Sequence, residues 1–167
     1  MIAPTEYNDY YRRYIDFVQG ESILAALESG LERTTAYFTN IPAEKHEYRY
    51  ADGKWTPKEV LLHIIDTERV FIYRALQFSR ADHRVLEGFD QDVFVSNAFA
   101  NKRAMKSLVA EYRAVRIASM AFMASCAPET LLRMGVASES PLSVRAAAYI
   151  IAGHEIHHIA VLNERYF

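Results

Sequence analysis

Cysteine, proline and glycine are scarce in this chain of 167 residues, which holds 1, 5 and 6 of them respectively. One thiol, Cys126, excludes an internal disulfide framework. So few glycines and prolines leave little turn chemistry for an all-β fold, and alternating strand patterns are nearly missing. Neither sign of charge dominates: 19 basic and 21 acidic residues give a formal net charge of −2. That balance offers no basic field to nucleic acid or to an anionic membrane. Charges also interrupt every apolar run well short of the roughly 18 residues that a transmembrane helix needs. Met1–Tyr14 is polar and tyrosine-rich rather than basic and then apolar, unlike a signal peptide. A cytoplasmic protein is the expectation.

What is present is helical periodicity. Hydrophobic residues make up 51% of the chain, enough for a sizeable core in one domain spanning 1–167. Ile23, Leu24, Leu27, Leu31 and Phe38 predict a first helix over about 21–39. Thr56-Pro57-Lys58-Glu59 reads as the start of a second, with Thr56 as cap, Pro57 at the first helical position and Glu59 closing the box. That helix runs to about Phe78, and residues 80–96 read as a long connection. Met105, Leu108, Tyr112, Val115, Ser119, Phe122 and Cys126 mark a third, stopped by Pro128. In this pattern Cys126 is a small buried hydrophobe. Ser140, Pro141 and Ser143 begin a fourth helix that runs nearly to the end. The expected fold is therefore an all-α four-helix bundle with a long connection between helices 2 and 3. Tyr7, Tyr10, Tyr11 and Tyr14 are expected to pack over one side of the bundle or to serve a dimer contact.

The fourth helix carries the informative feature. Val144, Ala147, Ile151, His154, His158 and Val161 recur at spacings of three and four, so two imidazoles occupy a core seam. A single core histidine is usually a hydrogen-bonded residue. Two at i and i+4 point the same way and can bind one metal ion. His63, inside the second helix and one turn past Glu59, can face the bundle interior as a third ligand. His46 and His83 fall in polar loops, and His157 lies at the boundary of the stripe.

The string His154-Glu155-x-x-His158 matches the zinc-protease motif. However, only nine residues follow His158, none of them a histidine, and a substrate-binding edge strand is not apparent. Glu155 is expected to be an exposed or boundary carboxylate rather than a general base. Asp66, Glu68 and Arg69 read either as an ion-paired helix surface or, for Asp66, as a group orienting a ligand histidine. Trp55 reads as a core plug.

Three stretches resemble the DinB-like proteins, bacterial metal-binding four-helix bundles named for a damage-inducible gene. They are Gly53-Lys54-Trp55-Thr56-Pro57 through His63 to Arg69, then Gly88-Phe89-Asp90-Gln91-Asp92, and Gly153-His154-Glu155-Ile156-His157-His158. The resemblance implies that His63, His154 and His158 are the metal ligands. It further implies a metal-dependent enzyme of thiol S-transferase or hydrolase type, acting on a low-molecular-weight thiol and a small electrophile. A homodimer is implied as well. The alternative is a non-catalytic metal-binding or dimerisation module in a bacterial stress response. Imidazole suits zinc, nickel, copper and iron alike, so the ligands do not choose the metal; the expected ion is zinc or nickel, with iron and manganese as further candidates.

Overall fold

The computed structural model describes residues 2–81 and 84–167, so His83 lies outside the described residues. A short helix, α1 (Arg12–Ile15), precedes four long ones: α2 (Ile23–Asn40), α3 (Pro57–Arg80), α5 (Met105–Ala124) and α7 (Val144–Arg165). Two shorter helices, α4 (Gln91–Ala98) and α6 (Pro128–Leu131), lie in the connections. Local chemistry sets the helix starts. Ser22 and Ser143 accept N–H bonds from Ala25 and Ala146. Thr56 and Glu59 form the expected capping box, with Pro57 at the first helical position.

Two expectations need correction. The fourth long helix begins at Val144 rather than Ser140, because Ser140–Ser143 form a strand, β3. It pairs antiparallel with β2 (Met134–Ala137), and β2 pairs parallel with β1 (Val85–Leu86). Pro141 is tolerated there because β3 lies at a sheet edge. The connection at 80–96 is also more structured than expected, since it holds β1 and the start of α4, capped by Asp90.

Each of α2 and α3 packs on both α5 and α7, so these consecutive helices occupy opposite corners of the bundle and residues 41–56 cross its end. Apolar clusters fill the two ends. One gathers Phe71, Phe78, Met123 and Ile150, and the other Phe38, Leu61, Leu108 and Leu162. Between them lies a polar waist centred on Arg116 of α5, which is fully buried.

All five Arg116 N–H groups have partners. Nε and Nη2 each donate to Glu68 at 2.9 Å, and Nη2 and Nη1 donate to Glu155 at 2.8 and 3.3 Å. Nη1 also donates to the Leu27 carbonyl at 3.0 Å, so one side chain ties α5 to α2, α3 and α7. Burial pushes the guanidinium pKa down, but the two carboxylates more than offset this and hold it well above its ordinary value. Gly30 leaves the room they need, because a Cβ there would overlap the Glu155 carboxylate.

Every residue of α7 from Ile150 to Glu155 is buried, as befits a helix enclosed on all sides. Part of that cover is the N-terminal segment, in which Tyr7, Tyr14, Ile15 and Val18 are buried. Glu6 ties the segment down, accepting from Arg145 at 2.5 and 2.7 Å and from Ser143 at 2.8 Å. Gly153 permits the close approach, since any Cβ would strike the backbone of Tyr14.

Candidate metal centre

Helix periodicity places His154 and His158 one turn apart on the face of α7 that meets α3, where His63 lies opposite. The structure brings these three residues together. His154 Nε2 is 3.1 Å from His63 Nε2 and 2.9 Å from His158 Nε2. All three donor atoms lie within 4.8 Å of one another, and no fourth donor residue joins them among the described residues.

Hydrogen bonding alone accounts poorly for this cluster. A neutral imidazole nitrogen offers either one N–H or one lone pair, yet His154 Nε2 meets two like nitrogens. A shared cation resolves the conflict. Tetrahedral zinc with Zn–N bonds of about 2.0 Å would set its ligand nitrogens about 3.3 Å apart. The donor set therefore fits a divalent metal, with three protein ligands and room for an exogenous one.

Burial sets the protonation state. It lowers the His63 pKa to about 4. Burial, reinforced by the neighbouring imidazoles, holds His154 and His158 well below the ordinary histidine range. All three are thus neutral near pH 7, the form that ligates a metal. Trp55 packs on His63 with ring centroids 4.7 Å apart, and Tyr14 meets His154 edge-on at 5.4 Å. Trp55 is therefore a wall of the site as well as a packing residue.

Cavities open on both sides of the cluster. One of about 150 Å³ is lined by His63 and His154 together with Tyr11, Thr67, Arg74 and Ser138. Another of about 240 Å³ is lined by His158 with Trp55, Asp92, His157 and Tyr166. Larger hollows of about 550 and 660 Å³ touch none of the three imidazoles, so convergent donors rather than size mark the site.

The other candidates fall as follows. Glu155 is fully buried and turned away from the imidazoles into the Arg116 network, where it also accepts from Tyr112 at 2.7 Å. The expectation of an exposed or boundary carboxylate is corrected, because the four-helix crossing at Arg116 requires a buried partner. Glu68 is likewise buried rather than on an ion-paired surface. Asp66 pairs with Arg69, which also reaches Glu111, so that part of the helix surface is ion-paired. His157 is half-buried against the Tyr14 ring, and the His46 ring bonds the Ile41 carbonyl. Cys126 is only half-buried at the end of α5.

Sequence reasoning missed Thr67 and Arg74. The available signal was their phase. His63, Thr67, Phe71 and Arg74 share one stripe of α3, polar where a core stripe should be aliphatic.

Fold and cluster together define a four-helix bundle with a three-histidine site that could hold a metal. A family model described as the DinB superfamily matches residues 26–162, and the chain belongs to that superfamily. Among solved structures, it is similar to YfiT from Bacillus subtilis, described as a probable metal-dependent hydrolase with an unusual four-helix bundle topology. The two share 14% identity at a TM-score of 0.72, over 98% of this chain and 90% of that one. That likeness establishes the fold. No curated protein matches the chain by sequence.

Proposed function

We propose that the chain is a metal-dependent enzyme in which His63, His154 and His158 hold a divalent ion, zinc or nickel first, with iron and manganese as further candidates. The reading rests on one observation: three neutral imidazoles converge, two buried and His158 half-buried, and no fourth protein donor closes the cluster among the described residues. A divalent ion bound there supplies Lewis acidity, which lowers the pKa of a coordinated thiol or water near neutral pH.

The chain's own residues do the rest. The Tyr14 and Trp55 rings restrict water around the imidazoles, and the Arg116 network fixes the facing helices that carry them. Cavities on both sides of the cluster favour a two-substrate transfer, from a low-molecular-weight thiol to a small electrophile, over simple hydrolysis. On the family resemblance we also infer a homodimer, which light scattering would report as twice the monomer mass.

The deciding experiment is metal content per chain in untagged protein, by plasma mass spectrometry. It is followed by assays with a chromogenic electrophile, with and without added thiol, and with a chromogenic ester. About one equivalent of metal and turnover that depends on it support the enzyme. Absence of uptake on titration leaves a non-catalytic module in its place.

A further inference from the structure

Two arginines are buried among the described residues, and they are treated very differently. Arg116 has two carboxylates and a partner for every N–H. Arg74, only 2% exposed, has none of the described carboxylates within 4.0 Å. Its Nη2 donates to the Glu87 carbonyl at 3.1 Å and to the Ser138 hydroxyl at 2.9 Å. Beyond those, its polar neighbour is the Tyr11 hydroxyl. The Phe71 and Phe89 rings flank the guanidinium. A buried cation without a counter-charge is costly, and a ligand that supplies the charge relieves the cost.

A second, independent observation comes from the same cavity. Thr67 is 4% exposed, and its Oγ1 is buried with no hydrogen-bond partner. A helical threonine can bond back to a carbonyl of the preceding turn, and this one does not; Thr34 and Thr35 of α2 are unpartnered too, but only Thr67 lines this cavity. Thr67 and Arg74 both line the cavity of about 150 Å³ that reaches His63 and His154. Cavities of roughly that size accept a ligand as large as benzene. Ser138, at the far wall, sits in the β2–β3 turn with φ of +51°, and its neighbour Glu139 has +61°. Two successive positive φ values are what a two-residue hairpin loop of this type requires, and they hold Ser138 against Arg74.

Building on the metal-dependent reading above, we propose that this cavity binds a small carboxylate through Arg74 and Thr67, as the anchoring group of the substrate. A carboxylate matches the single positive charge that no described carboxylate compensates and the planar fork of the guanidinium. A dianionic phosphate would leave excess negative charge buried. Seated on Arg74, the carboxylate would direct the remainder of the molecule along the α3 stripe toward the three imidazoles.

The test follows the Arg74 Nε–H signal by nuclear magnetic resonance as benzoate, methyl benzoate or inorganic phosphate is added to protein carrying its own metal. Benzoate should shift that signal saturably, and the uncharged ester should not. Arg74→Gln should weaken benzoate binding by about tenfold to a hundredfold. Thr67→Val should raise the melting temperature of the free protein, since it removes an unpaired buried hydroxyl, yet weaken benzoate severalfold. An Arg74 signal indifferent to benzoate, or Thr67→Val binding benzoate like the parent, overturns the proposal. Tighter binding of phosphate than of benzoate overturns the assigned class. Metal content read on the same samples separates the two readings. Benzoate on Arg74 in protein that takes up no metal leaves the carboxylate site standing and removes the metal-dependent enzyme. Metal-loaded protein without the benzoate response does the reverse.

Discussion

At position 154, α7 turns an imidazole toward α3. At position 155, about 100° further round the helix, it turns a carboxylate toward Arg116 of α5. The roles of these neighbours can be separated by substitution. His63→Ala should abolish metal uptake while leaving the helical circular dichroism unchanged, since the bundle is held elsewhere. Metal content equal to the parent would remove His63 as a ligand. Glu155→Gln should leave metal content intact and lower unfolding stability by about 3 kcal/mol, the low end for breaking a buried ion pair. Loss of turnover with full stability would instead make Glu155 a general base. Protonation of the imidazoles also has a direction. His63 has a folded pKa of about 4, below its ordinary 6.5. Metal-free protein should therefore hold full stability above pH 6.5 and lose it progressively as pH falls toward 4, which thermal melts across that range would show.

Among the elements, the N-terminal segment and α7 depend on each other. Gly153→Ala would force a methyl group into the Tyr14 backbone, and such overpacking costs about 1–3 kcal/mol. Because Tyr14 also covers His154, denaturant unfolding should show the loss and amide exchange should rise around both residues. Glu6 sets a pH limit on the same contact. Burial alone would raise its pKa, but bonds from Arg145, the Ala3 N–H and Ser143 together hold it below its ordinary 4.5. The anchoring is therefore complete above pH 4.5 and lost as pH falls through the lowered value, where Tyr14 should exchange faster. Glu6→Gln should show that faster exchange already at neutral pH.

The long helices were legible because period and caps agree: Thr56, Pro57 and Glu59 announce α3 before any packing is known. The sheet was not. Its hairpin turns on Ser138 and Glu139 rather than on Asn-Gly, and its strands are four residues or fewer. His154 and His158 stood out by spacing within one helix. Arg74 did not, because nothing in a sequence says that an arginine lacks a carboxylate, and Glu68 and Glu155 meet their shared cation on a third helix, at Arg116.

For the molecule as a whole, the Arg116 crossing is the tie among all four long helices. Arg116→Met alone should cost about 3–5 kcal/mol, because it leaves Glu68 buried without a cation and Glu155 with only Arg33 at 3.4 Å. Replacing Arg116, Glu68 and Glu155 together by methionine or leucine should recover most of that loss, as uncharged residues of similar volume need no partners. Chemical denaturation of the single and triple variants would check both. No helix among the described residues is long and apolar enough to cross a membrane.

That crossing changes how the pentad His154-Glu155-Ile156-His157-His158 constrains descent. Its two outer histidines answer to the chemistry at the cluster, whereas the glutamate between them answers to Glu68, Arg116 and the bare Gly30 backbone. A lineage with no ion at this cluster would be released from histidine at positions 63, 154 and 158, although 63 and 154 would stay buried in the bundle. It would still have to keep, or exchange as a set, positions 30, 68, 116 and 155. Homologues can therefore be sorted by which of the two sets they retain, and a lone glutamate surviving without its histidines would mark a scaffold kept for its packing alone.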